Sequence, residues 1–140
     1  MKIIGFNLTK ISAERISKET IKKQPSTSIE FLDLKEDKTE FLKDEKIIKL
    51  SFKYSVSYGE QESSKEGEVI FQGDVALSVT KEESKNITKD WKKKKLPSPM
   101  NIILFNFILR RCTPKAIFLE DEVSLPIHTP MPKLQQKKEE

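Results

Sequence analysis

Few residues in this chain could do chemistry. Histidine and cysteine occur once each, at His128 and Cys112, which excludes an internal disulfide and a zinc site built from clustered Cys and His ligands. His128 lies in a proline-rich stretch, and no Ser, Cys or Asp is placed by a known motif to complete a nucleophilic triad with it. It reads as a surface or packing histidine. Cys112 follows Arg110 and Arg111, cations of the kind that depress a thiol pKa, but it ends an apolar run and reads as a small buried residue. The acidic groups Glu82-Glu83 and Glu120-Asp121-Glu122 lack calcium-loop spacing and read as solvated charge. No GxGxxG, GxxxxGK[ST] or HExxH pattern is present. The expectation is a protein that is not an enzyme and needs neither metal nor cofactor.

Lysine is the type in surplus. Residues 85–95 hold Lys85, Lys89, Lys92, Lys93, Lys94 and Lys95 against Asp90 alone, a local charge of +5 in a chain whose net charge is +4. The basic balance is therefore one short block rather than a cationic surface. Lysines beside Trp91 could neutralise phosphate while the ring stacks on a base; the plainer reading is a solvated helix face with Trp91 buried as its anchor.

The elements that must position these residues follow from hydrophobic spacing. A length of 140 residues with 36% hydrophobic and 34% charged composition fits one soluble domain, assigned to residues 1–134, with a frayed polar tail at 135–140. The apolar start Met1 to Phe6 breaks at Asn7, too short for a secretory signal. The run from Ile102 to Leu109 falls short of the roughly 20 residues of a membrane span. A cytoplasmic protein with no membrane insertion is expected.

Ile4, Phe6 and Leu8 alternate and then slip phase near Thr9 to Ile11, predicting a bulged or bent first strand. Ser17 to Ser28 reads as a loop, Ile29 to Leu34 as a short second strand, and Lys35 to Lys46, with Phe41-Leu42, as a polar connection. The clearest signal is Ile48, Leu50, Phe52, Tyr54, Val56 and Tyr58 at strict alternation, followed after Gly59 to Gly67 by Val69, Phe71, Gly73, Val75, Leu77 and Val79. These make a long antiparallel hairpin with one dry face, which needs something laid along it.

That cover comes next in the chain. Ser84 is a plausible N-cap for a basic helix from Lys85 to about Lys95, with Ile87 and Trp91 on one face. Ser98-Pro99 reads as the start of a second helix, running from Met100 to Cys112 or Thr113 and stopped by Pro114. Its centre, Ile102 to Leu109, is apolar nearly all round and cannot be hidden on one sheet face, so a second subunit is expected. Ala116 onward reads as a tail whose prolines, Pro126, Pro130 and Pro132, favour an extended segment packed on the body.

This α+β order resembles the SecB family of export chaperones and their small SecB-like relatives: a four-stranded antiparallel sheet with a long central hairpin, two C-terminal helices around Leu96-Pro97-Ser98-Pro99, and a Pro-rich extended tail. The resemblance spans nearly the whole chain and rests on element order and proline-centred marks. It implies a holdase that keeps unfolded or extended polypeptide in apolar grooves of a homo-oligomer, dimer or tetramer, without catalysis or cofactor. Groove lining is assigned on this basis to Phe52, Tyr54, Tyr58, Phe71, Phe105 and Phe118, residues that would serve equally as a plain core. A net charge of +4 departs from the acidic members that hand clients to the SecA motor, and argues against that partnership. The rival class is an RNA- or ribosome-associated protein, with Lys92, Lys93, Lys94, Lys95, Arg110 and Arg111 touching phosphates.

Overall fold

A hairpin whose two strands each turn every second side chain to the same dry face must be covered on that face, and the architecture is organised around this requirement. The computed structural model describes residues 1–37 and 44–136. Four strands, β1 (Lys2–Arg15), β2 (Pro25–Asp37), β3 (Glu45–Tyr58) and β4 (Gly67–Thr80), precede two helices, α1 (Lys81–Trp91) and α2 (Met100–Glu122). The strands form one antiparallel sheet in the order β1-β4-β3-β2. This is a Greek-key order, because β1 lies beside β4 and not beside β2. The connection from β1 to β2 therefore crosses the width of the sheet, roughly 14 Å at three strand spacings.

At 14 residues each, β3 and β4 run roughly 45 Å. Ile48, Leu50, Phe52, Tyr54, Val56 and Tyr58 all lie at or near zero exposure, as do Val69, Phe71, Val75, Leu77 and Val79. The opposite face carries Lys49, Ser51, Lys53, Ser55 and Ser57 and stays partly open. Strand β1 is bent as expected, with register shifts between Ile3 and Gly5 and between Leu8 and Lys10. Near the second shift Gly73 is required: a Cβ there would stand 2.2 Å from the carbonyl oxygen of Asn7.

Several expected boundaries move. Strand β2 begins at Pro25, so Pro25 to Ser28 belong to a strand and not to a loop; the full-length β3 ladder, pairing Ser26 with Ser57 and Thr27 with Val56, overrides their weak strand propensity. Proline opening an edge strand lacks no needed donor. Of the expected connection at 35–46, Lys35 to Asp37 extend β2 and Glu45-Lys46 open β3, while residues 38–43, with Phe41-Leu42, lie outside the described residues, as do the last four residues of the expected polar tail.

The cap of helix α1 lies four residues before the expected one. Thr80 is the N-cap: its hydroxyl accepts from the Glu83 amide at 3.1 Å, and the Glu83 carboxylate accepts from the Thr80 amide at 3.0 Å, a reciprocal capping box. Ser84 is buried inside the helix. Lys92 to Lys95 lie beyond α1 in its closing turn, where Lys94 at φ 59° takes the left-handed position usually given to glycine. The amide of Lys95 bonds the Asp90 carbonyl at 3.3 Å and that of Lys94 the Trp91 carbonyl at 2.8 Å, a Schellman closure.

Helix α2 is longer than its sequence suggests, 23 residues or about 35 Å, with Pro114 inside it and Pro99 rather than Ser98 at its N-cap. Met100, Leu104, Ile108, Cys112, Ala116 and Glu120 recur every four residues and are all buried. They form a single i±4n ridge laid on the twisted sheet. Pro114 removes an amide that would reach the Arg110 carbonyl, but both residues are exposed. The freed carbonyl is on the solvent side, and the ridge continues past the proline. Among the described residues no helix is long and apolar enough to cross a membrane.

Replacing Gly73 with alanine forces β1 off β4 and is expected to cost about 1–3 kcal/mol. At Gly5 the nearest atom, the Ala76 Cβ, stands at an ordinary 3.4 Å, so Gly5→Ala should change stability by no more than about 0.5 kcal/mol. Urea unfolding of the two variants checks the contrast; equal midpoints would contradict the close approach at Gly73.

Candidate functional site

A 35 Å helix cannot cover a 45 Å hairpin, and the chain after α2 completes the cover. Helix α2 ends in a second Schellman closure: Ser124 takes φ 58°, and the Leu125 amide bonds the Glu120 carbonyl at 2.8 Å. Leu125 then packs where Gly67 leaves room, since a Cβ on Gly67 would lie 2.5 Å from its Cδ2. Arg15, at the end of β1, donates to the carbonyls of Ser17, Glu19 and Ser124, tying the crossover and the tail to one side chain.

Behind this clasp is a buried polar chain. Glu120, fully buried, accepts from the His128 backbone amide at 3.0 Å and pairs with the imidazole Nδ1 at 2.7 Å. The imidazole Nε2 meets the Tyr54 hydroxyl at 3.2 Å, and the Tyr58 hydroxyl donates to the Pro126 carbonyl. His128 is thus a packing histidine, whereas the expectation that Glu120 is solvated is overturned. Position 120 falls on the buried ridge, and burial there is tolerated because His128 satisfies the carboxylate. Asp121 and Glu122 remain exposed. Burial pushes the Tyr54 and Tyr58 phenols above their ordinary value, and the charge of Glu120 acts in the same direction. Burial likewise pushes the Cys112 thiol up to about 11, against the opposing cations Lys115 and Arg111. It is a closed, unreactive thiol.

The six candidate groove residues separate into three sets. Phe52, Tyr54 and Tyr58 are wholly covered, because the alternation that marks them also turns them under the helices and tail. Phe71, also wholly covered, is the floor of a hollow of about 420 Å³ between edge strand β1 and the C-terminal half of α2. Ile11, Pro114, Lys115, Phe118 and Leu119 complete its walls. Phe118 is 64% exposed and Ile11 57% exposed, so the hollow has apolar lips as well as an apolar interior. Sequence reading missed Ile11, although its position just after the phase slip in β1 was a usable signal.

Phe105 sits elsewhere, against Phe31 at 5.2 Å between ring centroids, on the side of edge strand β2. Two hollows there, about 260 and 460 Å³, share Phe31, Phe105 and Lys94. The six candidate cationic residues do not act alike. Lys92, Lys93, Lys94 and Lys95 are exposed together in the closing turn of α1. The Lys94 ammonium lies 5.4 Å above the half-buried Trp91 ring and occupies a face that a base would need. Arg110 and Arg111 project from the middle of α2, where the Arg111 guanidinium covers the Phe6 ring at 4.8 Å.

No family model and no curated protein matches the chain. Among solved structures it is similar to the SecB-like chaperone of Mycobacterium tuberculosis, described in complex with a peptide from an antitoxin. Identity is 14%, the match covers 98% of this chain and 92% of that one, and the TM-score is 0.48.

Removing the imidazole strands a buried carboxylate. His128→Ala is expected to cost about 3 kcal/mol and to expose the segment after Leu125 to protease, while Glu120→Gln, which keeps an acceptor for both donors, should lose less. Urea midpoints and limited proteolysis check this, and equal losses or no loss for His128→Ala would contradict it. Cys112, Tyr54 and Tyr58 hold their protons to higher pH when folded than when unfolded. The folded state therefore binds more protons in the alkaline range. Stability should be unaffected by these groups below about pH 8.5 and fall as pH rises through the unfolded thiol and phenol pKa values. Unfolding midpoints that stay level to pH 11 would refute it.

Proposed function

We propose that this protein is a SecB-like holdase that binds unfolded or extended polypeptide without catalysis, acting as a cytoplasmic homo-oligomer. The observation that supports this best is the hollow beside β1. It combines Phe118 and Ile11, large apolar side chains left in water, with an apolar interior floored by Phe71. Exposed apolar surface around a concave site is costly in a monomer and suits an apolar partner.

The adjoining edge of β1 adds a second element of recognition. Among the described residues its outward main-chain amides and carbonyls have no neighbouring strand, since β1 pairs there with β4 alone. An extended client can add along this edge by main-chain hydrogen bonds, which read no sequence, while alternate client side chains drop into the hollow. Affinity then comes from apolar burial, and breadth of specificity from the backbone. The homo-oligomer is supported by Ile102 and Ile103, 55% and 49% exposed on α2 among the described residues.

The test is light scattering of a chemically unfolded client during dilution, with and without the protein. Suppression of aggregation is expected from the native chain and is expected to be lost with Ile11→Asp/Phe118→Asp, whose unfolding midpoint should stay nearly unchanged because both positions are exposed. Solution mass should correspond to a dimer or tetramer. A monomer that leaves aggregation unaffected but retains labelled RNA in a salt-sensitive way would overturn the proposal in favour of an RNA-associated protein.

A further inference from the structure

The lysine block and the cleft beside β2 belong to one surface. Lys94 lines both hollows at Phe31 and Phe105, and Lys95 and Leu96 line the smaller one. Lys85, Lys89 and Lys92, on one face of α1 and its closing turn, line a third hollow of about 270 Å³ with Ser84, Thr88 and Glu36. Glu36 is already engaged with Lys46 at 2.9 Å. Among the described residues, none of the six lysines between 85 and 95 forms an ion pair. Among the described residues the edge of β2, like that of β1, has a strand on one side only.

We propose that the cleft between β2 and the α1–α2 connection is a second polypeptide site, selective for an extended acidic segment that carries one large apolar residue. The apolar residue enters between Phe31 and Phe105, its backbone pairs along β2, and its carboxylates meet Lys94 and Lys95. Charge complementarity selects the occupant: uncompensated cations on the rim of an apolar cleft favour carboxylates beside an apolar anchor. Glu30, also at the cleft, stands opposite Lys53 in the strand register.

Two observations favour peptide over nucleic acid. The aromatic ring nearest the lysines, Trp91, is half-buried and capped by Lys94. The cleft walls are aliphatic as well as aromatic, through Ile29, Leu32 and Leu96, which suits side chains more than stacked bases. The Schellman closure makes this a prepared site, because the backbone bonds of Lys94 and Lys95 to Trp91 and Asp90 hold both lysines at the rim before a ligand arrives.

This proposal deepens the holdase reading by naming a client class, but the site lies on the opposite sheet edge and is tested separately. The probe is a short fluorescent peptide with phenylalanine between glutamates, compared by anisotropy with a counterpart carrying lysines in place of the glutamates, at low and high salt. The acidic peptide should bind at least about tenfold more tightly at low salt and lose that advantage at high salt. Lys94→Glu/Lys95→Glu should abolish the preference, and Phe105→Ala should weaken both peptides. Lys94→Gly, which suits the left-handed backbone, is the control that removes one charge without straining the turn; it should weaken the acidic peptide alone. Ile11→Asp/Phe118→Asp should leave this binding intact even where it abolishes client protection. Equal affinity for the two peptides, an unchanged preference in the lysine variants, or displacement of the acidic peptide by oligouridine that itself binds more tightly would overturn the proposal.

Discussion

The dry face of the β3–β4 hairpin is the constraint on which the rest depends. Eleven large side chains on two 14-residue strands lie at essentially zero exposure, and each would cost about 1.5–3 kcal/mol if left in water. A single helix is shorter than the face, so α2 is extended through a proline, α1 covers the other end with Ile87, and the tail is drawn back over Tyr54 and Tyr58. Covering two tyrosines with backbone and a tail brings polar atoms inside. The Glu120–His128 pair and the Pro126 carbonyl are the answer to that, leaving no buried side-chain nitrogen or oxygen without a partner among the described residues.

Cover that runs down the middle leaves the two sides open. The central strands are sealed, whereas among the described residues β1 and β2 each keep a bare edge with an apolar hollow beside it, one at Phe118 and one at Phe105. The two hollows differ in their charge. The first has Lys115 alone among apolar neighbours, while the second has Lys94 and Lys95 on its rim beside further lysines of the same turn. One shared core thus positions a largely apolar hollow at one edge and a lysine-rimmed one at the other.

What could be read from the sequence was whatever depends on neighbours along the chain. The alternation of Ile48 to Tyr58 and of Val69 to Val79 specifies both strands and the face they bury, and the phase slip after Leu8 marks the bend in β1. The capping box was equally legible, since Thr80 and Glu83 have the required spacing, but Thr80 also fits the end of the strand and Ser84 drew the cap instead. Pro114 stops a helix on local grounds and fails to do so here because the ridge through Ala116 and Glu120 is held by the sheet. Glu120 as a buried acid could not be inferred: its partner is eight residues further along, and its burial follows from packing against strands far earlier in the chain. The same applies to the division of the candidate groove aromatics, since burial of Phe52 and exposure of Phe118 depend on where α2 crosses the sheet.

The irregularities of the outer strands have a consequence for self-assembly. Strand β1 shifts register twice and β2 shifts between Phe31 and Asp33, while the central β3–β4 ladder runs without a break. Each shift adds local twist and interrupts the spacing of the outward hydrogen-bonding groups. A flexible guest can accommodate such an edge, but a long run of identical, rigid copies cannot stack on it in register. The bulges thus guard two bare edges against growth of the protein's own fibres.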